Sequence, residues 1–381
     1  MKKLCVVATI PAVVYAFMQG HIRAAAVRWR VTIVSQPQGA GLLQDTGARF
    51  VPLAIRRTIS PGRDLLAFVR LVLLFRRERF QLVHSIMPKT GLLAMTAAWV
   101  AGVPNRVHTF TGQVWANKRG WKRNLLKQAD RLIVHFATHV LVDSPSQREF
   151  LVQEGVLPQN KGQVMRHGSI CGVDVQRFHA DAATRRAARE ELHIGDRETV
   201  ILFVGRLNAD KGIPELAQAF AEIAACREDV VLLLVGAEED FPFSRVRQIC
   251  GECTDRLRRV SFTPVPERYM AASDVFCLPS HREGFGQVII EAAACEVPTV
   301  ATRIYGITDA VADGQTGLLF PVGDAESLRQ TLLALVDNEP LRRQMGRAAR
   351  ARAMELFSSE DITREMLELY GRLLEGQTAA I

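Results

Sequence analysis

The sequence predicts an α/β protein made of two doubly wound domains, each a parallel sheet covered by helices on both faces. Three observations lead to this prediction. Short runs rich in β-branched residues alternate with longer helical segments along the 381 residues. The predicted strands are continuously hydrophobic, which is typical of strands buried on both faces. A turn-rich segment at residues 168–180 interrupts the alternation, which then begins again.

In the first half, predicted strands and helices alternate up to residue 142. A buried first strand at residues 4–10 is favoured over a signal peptide, because Pro11 interrupts the apolar run and no small-residue cleavage site follows. A loop ending at Gly20 is expected after this strand. The other predicted strands cover residues 31–35, 81–85, 106–109 and 139–142, and the helices cover residues 64–75, 91–101 and 121–136.

In the second half, strands are predicted at residues 199–204, 230–235, 260–262, 275–278 and 297–301, and helices at residues 213–225, 327–336, 341–357 and 361–375. We therefore expect a first domain at residues 1–175 and a second at residues 176–360, with a C-terminal helix at 361–381 packing back on the first. Ligands in such folds bind at the carboxyl ends of the strands, so we expect the site in a cleft between the two sheets.

The charge is distributed unevenly between the halves. The chain has a net charge of +8, but residues 1–180 contain 25 Lys and Arg against 8 Asp and Glu, and the remainder contains 23 against 32. A basic half suits nucleic acid, an anionic membrane surface or a phosphorylated ligand, and a solvated basic surface is the simpler alternative. Only 7% of the residues are aromatic and no RNA-binding motif is present, which argues against nucleic acid.

The cysteines indicate a reducing, cytoplasmic environment. There are 7, an odd number scattered along the chain, which argues against a secreted disulfide framework. Cys250 and Cys253 have a CxxC spacing without a second pair, so we interpret them as neighbours on one helical face and expect no metal there. No stretch reaches ~18 uninterrupted apolar residues, so no membrane span is expected.

The first candidate site lies at residues 204–212, between a strand and a helix. Gly205 allows a tight turn and a close approach to a ligand, while Arg206 and Lys211 can converge on one anion beside helix N-terminal amides. The segment is not a P-loop, because no GxxxxGK[ST] pattern is present. A solvated Arg and Lys at a helix entry would give the same pattern, and this alternative stays open here.

The second candidate site, at residues 279–291, follows the strand at 275–278. Gly284 and Gly286 allow close backbone approach, and a helix begins at Gly286. Glu283 lies at the mouth of this helix and Glu291 lies ~7.5 Å along its axis. Two carboxylates so placed can bind separate hydroxyl-bearing parts of one ligand. Alternatively, Glu291 is a surface helix residue and Glu283 interacts only with the helix dipole.

Together, these segments resemble the retaining glycosyltransferases of the GT-B fold called family 4, of the type that builds bacterial envelope, capsule and lipopolysaccharide polymers. The family's GR…KG and E-x7-E signatures correspond to Gly205-Arg206…Lys211-Gly212 and Glu283…Glu291. Weaker family-like segments lie at residues 17–23, 83–91, 168–174 and 313–319. The resemblance implies two Rossmann-like domains, the first binding the acceptor and the second the nucleotide-sugar.

The resemblance also implies residue roles. Arg206, Lys211 and Glu283 would be catalytic, with the two cations neutralising the donor diphosphate and the carboxylate holding sugar hydroxyls. Glu291 would hold the ribose. The implied donor-binding set is Gly205, Arg206, Lys211, Glu283, Gly284, Phe285, Gly286 and Glu291. The family usually needs neither a cofactor nor a divalent metal, and its envelope members commonly use UDP-sugars.

On the acceptor side the correspondence is looser. The implied positions are Gly20, His84, Lys89, His108 and Thr111. Thr111 stands where many members have a histidine; His108 could replace that histidine, although a packed core histidine is the more common role for a strand residue. The implied acceptor is a polyprenyl-diphosphate-linked sugar or an oligosaccharide.

Basic residues of the first half suggest docking to an anionic membrane. One cluster comprises Arg56, Arg57, Arg63, Arg70, Arg76, Arg77 and Arg79, and a second interleaves Trp115 and Trp121 with Lys118, Arg119, Lys122 and Arg123. Trp beside Lys and Arg suits a membrane interface, here the inner face of the cytoplasmic membrane. The alternative is a polar loop with two half-buried Trp. Rival functions are a nucleotide-sugar epimerase of the same fold and a basic membrane-associated binding protein.

Overall fold

The computed structural model describes residues 1–56, 58 and 60–376. The chain divides into two compact units, one formed by Met1–Cys171 together with the chain from Ser359 onward and the other by Gly172–Ser358. Arg57 of the predicted basic cluster and residues 377–381 of the predicted C-terminal helix lie outside the described residues.

A parallel sheet forms the centre of the first unit. Its strands are β1 (Lys3–Val7), β2 (Arg30–Ser35), β3 (Arg49–Pro52), β4 (Leu82–Ile86), β5 (Asn105–Phe110), β6 (His139–Val142) and β7 (Gln163–Val164). They are hydrogen-bonded in the order β3-β2-β1-β4-β5-β6-β7, and every pair is parallel. Both faces of this sheet carry apolar core, which explains why its central strands are hydrophobic at successive positions.

Helices cover both faces of this sheet. They are α1 (Pro11–Phe17), α2 (Gln19–Arg28), α3 (Pro61–Glu78), α4 (Pro88–Val100), α5 (Gly120–Phe136) and α6 (Pro145–Gln153). Buried residues of α3, α4, α5 and α6 share one core with the sheet, and those of α1 and α2 share the core on its other face. Within the described residues, no helix is both long and apolar enough to span a bilayer.

The predicted loop ending at Gly20 was wrong. Residues 11–28 form α1 and α2, and Gly20 lies inside α2. Pro11 occupies the first turn of α1, where a missing N–H costs no intrahelical hydrogen bond. The alanines of the following segment favour a helix as well.

A second parallel sheet forms the centre of the other unit. Its strands are β8 (Thr199–Val204), β9 (Val230–Val235), β10 (Leu257–Val260), β11 (Val275–Leu278), β12 (Thr299–Thr302) and β13 (Gly317–Phe320), in the order β10-β9-β8-β11-β12-β13. The helices are α7 (Ala182–Glu191), α8 (Ile213–Cys226), α9 (Phe243–Cys250), α10 (Glu267–Ala271), α11 (Gln287–Ala294), α12 (Ile307–Ala310), α13 (Ala325–Val336) and α14 (Glu339–Leu356).

The predicted fold class is confirmed, since both units are parallel sheets covered by helices. Strands β6, β8, β9 and β11 have the predicted bounds. The strand predicted at residues 260–262 was placed wrongly, because β10 ends at Val260 and contains Arg258 and Arg259. Two arginines interrupt the hydrophobic run that would have marked this strand.

The last helix, α15 (Ser359–Glu375), packs against α2 in the first unit. Ile362, Met366 and Leu369 enter the core on that face of the sheet. Two polar contacts accompany this apolar packing. The Tyr370 hydroxyl lies 2.6 Å from Nδ1 of His84, and Oγ1 of Thr363 lies 2.9 Å from Nδ1 of His21.

Three histidines are buried inside the first unit. His84 also contacts Oγ1 of Thr109 at 2.7 Å, and Nδ1 of His108 contacts Oγ of Ser85 at 2.8 Å. Burial lowers the pKa of His84 and of His108 to about 3, and it lowers the pKa of His21 as well. These rings are therefore neutral in the folded protein at physiological pH.

We expect the first unit to lose stability as the pH falls from 6.5 towards 3. A histidine with a lowered folded-state pKa binds fewer protons when folded than when unfolded, so its full contribution is present above pH 6.5 and is lost below it. For a pKa shift from 6.5 to about 3, as at His84 and His108, the loss of stability at pH 5 is about 2 kcal/mol per histidine. Urea unfolding at pH 7 and pH 5 measures this loss.

The variant His108→Asn should have a shallower dependence of unfolding free energy on pH, even if its stability at pH 7 is lower. His135→Asn is the matched control, because His135 is exposed on α5 and its replacement should leave the slope unchanged. If the unfolding free energy has the same pH dependence in the wild-type protein and in both variants, the buried histidine is not the cause of that dependence.

Candidate active site

Loops from neighbouring strands meet at the carboxyl edge of the second sheet. β8 and β11 are adjacent there, and the strand order changes direction between them. In doubly wound sheets this reversal opens a crevice in which ligands bind. The two candidate segments found in the sequence are the loops that follow these two strands.

The loop after β8 presents Arg206 and Lys211. The Asn208 side chain fixes its shape, since Oδ1 of Asn208 accepts a hydrogen bond of 2.9 Å from the backbone N–H of Lys211. Gly212 has a left-handed backbone with φ of 70°, and a Cβ atom there would collide with the carbonyl of Pro279. Only glycine therefore allows this loop to pass so close to the loop after β11.

The loop after β11 is cross-linked to the loop after β8. Lys211 Nζ forms an ion pair with Glu283, so the structure brings these two predicted site residues into contact. Arg282 pairs with Asp210 at 3.0 Å, and the backbone N–H of His281 donates to the Asp210 carbonyl at 2.9 Å. The two loops form one polar surface as a result.

A histidine and a carboxylate that the sequence analysis missed are paired next to this surface. Nε2 of His281 lies 2.8 Å from Oε1 of Glu215, in the first turn of α8. The hydrogen bond to Glu215 raises the pKa of His281. A lone His and a lone Glu separated by 66 residues carry no signal in sequence, because only the fold brings the first turn of α8 next to the loop after β11.

Glu291 projects from α11, beyond Glu283 in the chain. Nε2 of Gln287 lies 3.4 Å from its Oε1 and also donates to the Gly172 carbonyl at 2.7 Å. Burial raises the pKa of Glu291 to about 7. A carboxyl group with this pKa can both accept and donate hydrogen bonds near neutral pH, which suits contact with a pair of hydroxyls.

The other predicted donor-side residues offer main-chain groups. Phe285 is buried, and its ring packs edge-on against Phe357 with 5.1 Å between centroids. Gly284 and Gly286 are buried beside it. The Phe285 side chain is packed in the core and the flanking glycines have no side chain, so ligand contacts of this segment would be made by main-chain amides and carbonyls.

Arg206 pairs with a residue that the sequence analysis did not select. Its guanidinium forms an ion pair with Glu239, in the loop after β9. Gly236 begins that loop, and a Cβ atom at Gly236 would collide with the carbonyl of Gly205. The sequence did contain a signal for this partner, since three consecutive acids, Glu238 to Asp240, follow closely after a buried strand.

The structure does not gather the predicted acceptor-side residues into one surface. His108 is in the core, in agreement with the core-histidine alternative given for it, His84 is buried as well, and Gly20 lies within α2. Nζ of Lys89 pairs with Asp64 at 2.7 Å. Thr111 is partly buried, and its carbonyl accepts a hydrogen bond of 2.7 Å from Gln147.

Cys250 and Cys253 do not share a helical face. Cys250 is the buried last residue of α9, with its Sγ 3.7 Å from the Ala217 carbonyl, and Cys253 lies in the 3-10 turn that follows. In the part of the chain that the structure describes, no group of three or more His, Cys, Asp or Glu residues is arranged to hold a metal ion.

Comparison with known proteins matches each half of the chain to a glycosyltransferase family description. Residues 184–352 match the family described as Glycosyl transferases group 1, and residues 15–168 match the Glycosyl transferase 4-like domain. A capsular polysaccharide biosynthesis glycosyltransferase, CapM, from Staphylococcus aureus is 30% identical over 86% of each chain. An Escherichia coli UDP-Gal:alpha-D-GlcNAc-diphosphoundecaprenol alpha-1,3-galactosyltransferase is 28% identical over 77% of this chain and 76% of its own length.

Solved structures share the fold along nearly the whole chain. Sucrose-phosphate synthase from Thermosynechococcus elongatus superposes with a TM-score of 0.82 at 23% identity, covering 99% of this chain and 100% of that one. Anabaena HepE in complex with UDP and glucose also gives a TM-score of 0.82, at 20% identity, covering 97% and 100%. The chain belongs to the group 1, or family 4, glycosyltransferases of the GT-B fold, as its sequence motifs predicted.

Proposed function

We propose that the protein transfers a sugar, with retention of configuration, from a UDP-sugar to a lipid-linked or saccharide acceptor during synthesis of a cell-surface polysaccharide. The observation that carries this proposal is the contact between Lys211 and Glu283, which joins the GR…KG loop to the E-x7-E loop at the carboxyl edge of the second sheet. A cation for phosphate and a carboxylate for hydroxyls are side by side there, as a sugar diphosphate requires.

In this proposal Arg206 and Lys211 bind the diphosphate. Negative charge grows on the leaving phosphate as the sugar–oxygen bond breaks, and fixed cations stabilise that charge without reorganising. The Lys211–Glu283 ion pair orients both groups, so that the ammonium can meet phosphate while the second carboxylate oxygen meets a sugar hydroxyl. Glu291 binds the ribose, and its raised pKa suits a group that exchanges hydrogen bonds with two hydroxyls.

The choice of UDP and of a lipid-linked acceptor rests on relatives. HepE was solved with UDP and glucose, and the Escherichia coli relative is named for UDP-galactose and an undecaprenol-linked acceptor. CapM is named for capsular polysaccharide synthesis. A lipid-linked acceptor implies work at a membrane, and we propose a peripheral location on the inner face of the cytoplasmic membrane.

The outer surface of α3, α4 and α5 supports such a location. These helices lie side by side on one face of the first sheet. Among the described residues, 9 of the 17 exposed large hydrophobic side chains are found on them: Leu65, Leu66, Val69, Leu73, Trp99, Val100, Trp121, Leu125 and Leu132. Exposed cations accompany these side chains: Arg63, Arg70, Arg76, Arg77, Lys118, Arg119 and Lys122.

Among the residues that the structure describes in α3, α4 and α5, no acidic side chain is exposed. Asp64 and Glu78 are largely buried in ion pairs, and Asp130 is buried with its carboxylate accepting a hydrogen bond of 2.7 Å from the Trp115 indole. Trp115 is fully buried, so only Trp121 of the predicted tryptophan pair is available to a membrane. Apolar side chains flanked only by cations match an anionic bilayer surface.

Nucleotide binding tests the donor site. We expect UDP to bind more tightly than GDP or ADP without added metal, and Arg206→Ala to weaken UDP binding about 10- to 150-fold through loss of a charge-assisted contact of about 1.5–3 kcal/mol. Isothermal titration measures this change. Arg350→Ala is the matched control. Arg350 lies on α14, outside the candidate site, and forms a similar ion pair of 3.1 Å with Glu296.

Glu291→Ala should weaken UDP binding to a similar degree, and it should weaken 2′-deoxy-UDP binding less, because that ligand lacks one of the two hydroxyls that the carboxylate is proposed to bind. If no nucleotide binds, or if Arg206→Ala binds UDP as tightly as the wild-type protein, the proposed site does not bind the donor.

Vesicle flotation tests the membrane surface. The wild-type protein should float with vesicles containing phosphatidylglycerol and much less with pure phosphatidylcholine, since each cation near an anionic surface contributes about 1 kcal/mol. The double variants Leu66→Gln/Leu73→Gln and Arg70→Gln/Arg77→Gln should each lose most of this binding. Val27→Gln serves as the control, because Val27 is 82% exposed on α2, against the opposite face of the sheet. Undiminished flotation of both double variants would exclude this surface.

A further inference from the structure

An acidic loop is built into the donor site beside Arg206. It follows β9, the neighbour of β8 in the sheet, and contains Glu238, Glu239 and Asp240. Its backbone is hydrogen-bonded to the loop after β8 through both the N–H and the carbonyl of Leu207. The Leu207 N–H donates to the Ala237 carbonyl at 2.8 Å, and the Glu239 N–H donates to the Leu207 carbonyl at 3.0 Å.

Side chains reinforce this attachment. Leu207 and Phe241 are buried in the core of the second unit, and the backbone N–H of Ala209 donates to Oδ1 of Asp240 at 3.0 Å. Asn208 is buried, and its Nδ2 donates to Oε2 of Glu239 at 2.6 Å. The position of Glu239 is therefore set by the fold, and its pairing with Arg206 is more than a chance surface contact.

The Arg206 guanidinium consequently faces two anions once a diphosphate binds. Glu239 is fixed on one side of it, and a diphosphate bound to Arg206 would lie close to that carboxylate. Like charges at such short range repel, and the repulsion grows with the charge on the phosphate. Lys211, which is also proposed to bind the diphosphate, has a carboxylate partner of its own in Glu283, so each of these two cations is already matched by a carboxylate.

We propose that Glu239 is a counter-anion that weakens phosphate binding at Arg206 and weakens it most for the released nucleoside diphosphate. This inference rests on the proposed donor site. When the sugar–oxygen bond breaks, the oxygen and the bonding electrons stay with the diphosphate. The product then has a terminal phosphate with one more ionisable oxygen than the donor, and that group is largely ionised at pH 7. Glu239 would thus favour product release over donor release.

The charge-neutral variant Glu239→Gln tests this role. Glutamine keeps the shape of the side chain and an oxygen for the Asn208 hydrogen bond, and the backbone contacts of the loop are unaffected. We expect UDP to bind about 5-fold more tightly to this variant, the factor that corresponds to an exposed ion pair of ~1 kcal/mol. UDP-glucose should gain less than UDP, and uncharged uridine should bind as it does to the wild-type protein.

Glu238→Gln is the matched control. Glu238 is the preceding acid of the same loop, and it faces Arg259 at 3.8 Å instead of Arg206. Its replacement should leave the UDP affinity close to that of the wild-type protein.

The outcomes separate this inference from the proposed function. If Glu239→Gln weakens UDP and uridine alike, Glu239 binds the nucleoside and the counter-anion role is wrong. If UDP affinity is unchanged while Arg206→Ala still weakens it, the donor site stands and only the inference fails. If the wild-type protein does not bind UDP, or Arg206→Ala has no effect, the proposed function itself fails.

Discussion

The burial of parallel strands on both faces is the constraint from which the donor site follows. A central strand covered by two helical layers has no room for an unpaired charge, so charged side chains collect where the strand ends. All strands of a parallel sheet end at the same edge, and β8 and β11 are neighbours there. Arg206, Lys211 and Glu283 therefore meet at one edge although as many as 77 residues separate them in the chain.

Charge within that edge is balanced residue by residue. Lys211 pairs with Glu283 and Arg206 with Glu239, so each cation proposed to bind phosphate has a carboxylate beside it. The net charge of a domain says little about its ligand, because the field at a site depends on the few groups within several ångströms.

In the first unit, the buried histidines are neutral and many charged side chains lie at the surface. Its buried histidines are kept neutral by desolvation, and His84 bridges the sheet to a covering helix by joining β4 to the Tyr370 hydroxyl of α15. Exposed cations, among them Arg70, Arg77 and Lys122, lie among exposed leucines on the outer surface of α3 and α5. Leucines of one helix thus serve both the core and the surface, a distinction that composition does not reveal.

The sequence by itself determined the fold class, most buried strands, and the paired donor loops, because hydrophobic runs and motif spacing are local properties of the chain. Only the tertiary structure decided the burial of Trp115 and the partners of Arg206 and His281. Glu239 lies 33 residues from Arg206, and only the pairing of β8 with β9 makes them neighbours. Contacts between loops of adjacent strands depend on strand order, which no local pattern encodes.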